Sequence, residues 1–132
     1  GRVYRRYSRP VQYPEPMTMT YIVPGIPPSN NRYIGRTNRW EYQQTKKEWS
    51  RRIALCCRPK PPSPLPRARV TLTYYFKDRR RRDPDNYSGK MILDGLTAAG
   101  IIKDDSFAHI ELVLRSGLDM DNPHVEIEVT DI

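Results

Sequence analysis

Arg67-Ala68-Arg69-Val70-Thr71-Leu72-Thr73-Tyr74-Tyr75-Phe76 decides the fold. Val70, Leu72, Tyr74 and Phe76 share one face at period two, and Thr71, Thr73 and Tyr75 share the other, the pattern of a strand with one buried face. Upstream, Pro59–Pro66 is a proline-rich connector that cannot continue a helix. Before it, Arg39 to Cys57 predicts a helix. Trp40, the Thr45 region, Trp49, Ile53 and the Cys56/Cys57 pair recur near helical spacing, with Lys46, Lys47, Arg51 and Arg52 elsewhere around the cylinder. Further back, Ile26–Gly35 is a loop and Met17–Val23 alternates as a strand ended by Pro24-Gly25. Downstream, a helix is expected from Asn86 to Ala99, stopped by Gly100. Phe107–Leu114 and Val125–Val129 follow as strands around a turn at Gly117–Pro123. The order β-α-β-α-β-β predicts an α+β single domain, a mixed sheet with two helices, over residues 17–132. Residues 1–16 interleave Arg2, Arg5, Arg6 and Arg9 with tyrosines and prolines. They read as a basic arm touching phosphates or, equally, as a disordered terminus.

The 132 residues fit one domain, and 37% hydrophobic content supplies one modest core. A formal net charge of +8 points to a polyanionic partner, nucleic acid before an anionic membrane surface. No apolar run approaches the ~20 residues that span a bilayer, and no apolar stretch follows the basic start as in a secretory signal. The two cysteines, Cys56 and Cys57, are adjacent, which suits neither a disulfide nor a zinc spacing. They read as reduced thiols of a cytoplasmic protein.

The chemistry begins where the decisive strand ends. Lys77-Asp78-Arg79-Arg80-Arg81-Arg82 carries five positive and one negative side chain, a net +4 in six residues. Contact with roughly five phosphates would give a log-affinity against log-salt slope of about −4 to −5; a solvated charge run is the bland alternative. Asp83-Pro84-Asp85 follows directly. In extended chain its two carboxylates point the same way, and hard cations such as Mg²⁺ take oxygen ligands. Equally, Asp83 can cap a helix that has Pro84 at its first position. A second acidic pair, Asp104-Asp105, lies beyond the helix. A helix of about 13 residues is roughly 20 Å long, and Gly100–Asp105 extended covers roughly the same distance. One carboxylate can therefore return beside the helix start on a nearly taut path. Lys90 and Asp94, four apart, share a helix face opposite Met91, Ile92, Leu96 and Ala99. An exposed ion pair is the simplest reading of them.

Three stretches together resemble the RusA family of phage and bacterial Holliday junction resolvases: Arg80-Arg81-Arg82-Asp83-Pro84-Asp85-Asn86, Lys90-Met91-Ile92-Leu93-Asp94-Gly95-Leu96, and Ala99-Gly100-Ile101-Ile102-Lys103-Asp104-Asp105-Ser106. The loop Gly25-Ile26-Pro27-Pro28-Ser29-Asn30-Asn31-Arg32-Tyr33 is similar to that family's N-terminal motif, and the likeness runs from about Met17 onward. It implies a homodimeric endodeoxyribonuclease that cuts branched DNA, above all four-way junctions, with Mg²⁺ (Mn²⁺ as substitute), leaving a 5′-phosphate and a 3′-hydroxyl. It implies Asp83, Asp85 and Asp105 as metal ligands and Lys90 as the catalytic lysine. Tyr87-Ser88-Gly89 puts one more residue between Asn86 and Lys90 than the family pattern has. Lys77 and Arg79 to Arg82 would hold DNA, and Asn31 and Asn86 would shape the site. Two other classes remain: a non-catalytic DNA-binding module on the same fold, and an Asp-x-Asp nucleotidyl or glycosyl transferase. The second lacks a visible nucleotide-binding loop.

Overall fold

The computed structural model describes residues 17–33 and 39–132; the basic arm 1–16 and the end of the loop before the first helix lie outside the described residues. The elements are β1 (Thr18–Pro24), α1 (Arg39–Cys56), β2 (Ala68–Phe76), α2 (Lys90–Ala98), β3 (Ile110–Leu118) and β4 (His124–Asp131), with short 3-10 turns at Asn30–Tyr33 and Pro84–Asn86. The order is β-α-β-α-β-β, and the four strands form one mixed sheet in the spatial order β1-β4-β2-β3. β2 and β3 are parallel, whereas β4 runs antiparallel to both of its neighbours, β1 and β2.

The alternation in β2 is realised as read. Val70 and Leu72 are completely buried, and Tyr74 and Phe76 nearly so. Register carries the same face across the sheet, because Leu72 and Tyr21 both sit opposite Ile127, and Tyr74 and Val23 both sit opposite Val125. These side chains join Trp49 and Ile53 of α1 and Met91, Ile92, Leu93 and Leu96 of α2 in one core.

Three boundaries and the side on which Trp40 lies differ from the sequence reading, each for a local reason. α2 begins at Lys90 rather than Asn86 because Gly89 has φ +85 and cannot continue a right-handed helix. β3 begins at Ile110 rather than Phe107 because Ser106 closes a turn, accepting the N–H groups of His109 (2.9 Å) and Ile110 (3.0 Å). Phe107 is left fully exposed on that turn. β3 then continues through Gly117 to Leu118. Gly117 faces Tyr75, and a Cβ there would lie 2.7 Å from the tyrosine ring, so the missing side chain admits a close cross-strand approach rather than a turn. Finally, Trp40 is 74% exposed. It lies nine residues before Trp49, two and a half turns, which places the two on opposite sides of the helix.

Cys56 ends α1 and Cys57 follows it, both as free thiols. Burial, and then neighbouring Cys56, push the Cys57 thiol up to about 12. Among the described residues no helix is long and apolar enough to cross a membrane.

Candidate nuclease site

The residues after β2 form an irregular segment organised by one arginine. Arg82 is the least exposed of the run, with 15% of its side chain accessible. Its guanidinium bridges the Asp78 carboxylate at 2.8 Å, donates to the backbone oxygens of Asp78 (3.1 Å) and Arg80 (3.0 Å), and lies 4.2 Å from the Phe76 ring centre. Asp78 accepts in turn from the Arg80 backbone N–H, and this bond, followed by that to Arg82, holds its carboxyl below the usual range. Because the folded value is the lower one, this contribution is present above the unfolded carboxylate range and lost as pH falls through the lowered value. Arg82 is thus an internal brace. Lys77, Arg79, Arg80 and Arg81 are exposed. Arg81 Nε pairs with Asp83 Oδ1 at 3.1 Å, and Arg80 reaches Asp78 at 3.5 Å. We expect a split response. Arg80→Gln with Arg81→Gln should flatten the salt slope of nucleic-acid binding by about 2 with little change in Tm. Arg82→Ala should cost about 1–2 kcal/mol of stability and leave the slope almost unchanged.

Asp83 precedes the 3-10 turn with Pro84 in its first turn, as the capping reading required, yet its side chain makes no capping hydrogen bond. The carboxylate is left to Arg81 and to solvent. Asp85 lies exposed within the turn. The turn itself is clamped from the loop after β1: Asn30 Nδ2 donates to the Asp85 backbone oxygen at 3.0 Å and to Ser88 Oγ at 3.1 Å. Asn30 rather than Asn31 therefore makes these side-chain bonds, while Asn31 is exposed and uses its backbone N–H on Ser29 Oγ at 3.3 Å. Sequence spacing did not separate two adjacent asparagines; only the direction of the loop does. Asn86 donates its backbone N–H to Asp83 O at 3.0 Å and closes the turn.

The residue that looked supernumerary before Lys90 has a structural place. Tyr87, Ser88 and Gly89 form a non-helical step, and Lys90 is the first residue of α2. Its ammonium meets Asp94 Oδ1 at 3.1 Å, and Lys46 of α1 reaches the other oxygen of the same carboxylate at 3.4 Å. The hydrogen bond to Asp94, reinforced by the charges of Asp94 and Asp105, raises the Lys90 pKa. Lys90 is therefore a cation at neutral pH, suited to stabilising negative charge and not to acting as a base.

The second acidic pair returns by a shorter route than the taut span expected. α2 has nine residues, about 13 Å of helix. Past it, Ile101–Lys103 runs beside the proline-rich connector, with Leu65 N–H donating to Ile101 O (3.0 Å) and Lys103 N–H to Leu65 O (2.9 Å). Asp104 and Asp105 then line an open cleft with Lys46, Ser50, Asp94 and Thr97. The backbone N–H of Asp105, followed by the Ser106 hydroxyl, lowers the Asp104 pKa. Asp105 instead acts on Lys90. Among the described residues no three His, Cys, Asp or Glu side chains converge as a metal-holding group. The structure accordingly does not bring the three carboxylates together as a cage: Asp83 pairs with Arg81, Asp85 lies exposed in the turn, and of the three only Asp105 acts on Lys90. Their hard oxygen donors still suit Mg²⁺, which takes one or two carboxylates and fills its shell with water and substrate phosphate.

A family model, Endodeoxyribonuclease RusA, matches residues 24–130. The match contains the clamp at Asn30, the basic segment, both acidic pairs and Lys90. No curated protein matches the chain.

Proposed function

Because the chain belongs to the RusA endodeoxyribonuclease family, we propose that it is a Mg²⁺-dependent, structure-specific endonuclease that resolves four-way DNA junctions by paired phosphodiester hydrolysis. The family match, spanning every element of the candidate site, carries this reading. Arg79, Arg80 and Arg81 bind phosphates beside the cut. Asp83, Asp85 and Asp105 would hold one or two Mg²⁺ ions, which when bound would make a coordinated water more acidic and shield phosphate charge. The Lys90 ammonium stabilises the charge that builds on the phosphate as the new oxygen bond forms. Asn30, by holding the Asp85 backbone, keeps the acidic turn in place while DNA docks. The protein acts as a homodimer, since a two-fold pair of sites meets the near two-fold symmetry of a four-way junction.

A second reading, a branched-DNA-binding module without catalysis, is favoured by the open arrangement of the carboxylates and by the Arg81–Asp83 pair. One assay separates them: a four-way junction and a linear duplex of the same sequence are incubated with and without Mg²⁺. Cutting confined to the junction with Mg²⁺ is expected. Tight junction binding with no cutting under any divalent cation makes the module reading correct.

A further inference from the structure

The candidate site shares the segment from Asn86 to Lys90 with a cavity of about 330 Å³, a size at which small-ligand pockets begin. Four tyrosines line it, Tyr33, Tyr42, Tyr74 and Tyr87. Tyr33 and Tyr42 meet edge to face at 5.2 Å and 76°, and Tyr87 stands against Tyr74 at 5.6 Å and 64°. Tyr33 is fixed further by its hydroxyl, 3.2 Å from Thr45 Oγ1. The walls are therefore braced rings rather than loose side chains.

Tyr74 is the informative member. It is 3% exposed, and its hydroxyl has no hydrogen-bond partner among the described residues. Burial, with Tyr87 beside it, pushes its phenol well above the ordinary tyrosine range, so the hydroxyl keeps its proton and offers both a donor and an acceptor. A Cβ placed on Gly89 would lie 3.5 Å from that oxygen, which locates it under the turn leading to Lys90. Leaving a buried hydroxyl unpaired is unfavourable, and phenylalanine would fill almost the same volume. Tyrosine makes sense there if a polar group arrives from outside.

We infer that this cavity receives one unstacked nucleobase from the branch point, stacked on the tyrosines and read at its edge by the Tyr74 hydroxyl and the Asn86 amide. The identity of the ligand rests on the junction-binding reading above. Every base presents a ring face that stacks on aromatics and an edge that pairs with polar groups once the base leaves the helix. Extrusion costs least where pairing is already weakened, as at a branch. The adjoining Lys90 and acidic turn would set the base close to the bond being cut, so the cavity would select which junction sequences are processed.

The test reads binding, so it does not depend on catalysis. Junction affinity is measured by fluorescence anisotropy without divalent metal, while an abasic analogue replaces each nucleotide flanking the branch point in turn. In the wild type one position should weaken binding about ten-fold or more, with the others near unity. In Tyr74→Phe and in Tyr42→Leu the penalty at that position should shrink to about three-fold or less. Tyr74→Phe should melt at or above the wild-type temperature, which separates a lost contact from a lost fold. Tight junction binding with a flat abasic profile, or a penalty that both variants retain, overturns the pocket alone. A wild type that does not bind junctions overturns the resolvase reading together with it.

Discussion

Asp85→Asn is expected to slow Mg²⁺-dependent cutting of a four-way junction by about a thousand-fold, close to 4 kcal/mol of barrier, with junction affinity unchanged or tighter. Asp85 is exposed, and the Asn30 clamp grips its backbone oxygen rather than its carboxylate. The amide therefore leaves the turn in place while removing the charge of a proposed metal ligand. It also removes a negative charge that repels DNA phosphate, so binding has reason to improve. Single-turnover cleavage alongside anisotropy titration measures both halves. Wild-type cutting by the variant would take Asp85 out of the site, and parallel loss of binding and cutting would make it a structural residue.

Gly89→Ala should damage the protein by another route. Gly89 precedes α2 at φ +85, where a side chain costs about 1–2 kcal/mol. Its Cβ would also meet Leu72 Cδ1 at 2.4 Å, a side chain with no exposed surface in the central strand. Together these predict about 2–3 kcal/mol of lost stability and a Tm lower by about 10 °C. Cutting measured well below the new Tm should fall as well, because the first residue after the strained step is Lys90. A variant that melts normally would show that the step relaxes without cost. One that melts lower yet cuts normally would detach Lys90 from catalysis.

How far such effects could be foreseen depended on where each residue lies. The alternation of β2 was legible because that strand is central and one of its faces is wholly interior, so hydrophobic period and geometry coincide. The acidic pairs were legible as candidate oxygen donors through residue type and spacing, whereas spacing read Lys90 as the exposed partner of Asp94, the ion pair the structure holds, and only the family resemblance suggested a catalytic role for it. Several features were not. Trp40 matched an apolar period when counted loosely, but helical rotation carries it away from Trp49. Arg82 looked like its three neighbours, and only the Phe76 ring and Asp78 distinguish a brace from a phosphate ligand. Of Asn30 and Asn31, the loop's orientation chose the first. The Tyr74 hydroxyl was hidden in a strand whose tyrosine read simply as core. Strand order was beyond pattern altogether, since nothing local assigns β4 rather than β3 to the space between β1 and β2.

That placement of β4 bears on how the molecule comes into being. β1 leaves the start of the fold with its sheet partner more than a hundred residues away in sequence, Thr18 opposite Thr130, and β2 likewise waits for β4 on one side. Contacts this distant close late and slow the search for the native state. During synthesis at the ribosome the helices and β2 can gather, but β1 has no edge to join until residues 124–131 clear the exit tunnel. Stalled nascent chains ending before that point should remain open to protease throughout β1, with protection appearing in a single step once β4 is free. Until then the hydrogen-bonding edges of β1 and β2 are bare, which makes that interval the moment when chaperone engagement matters most.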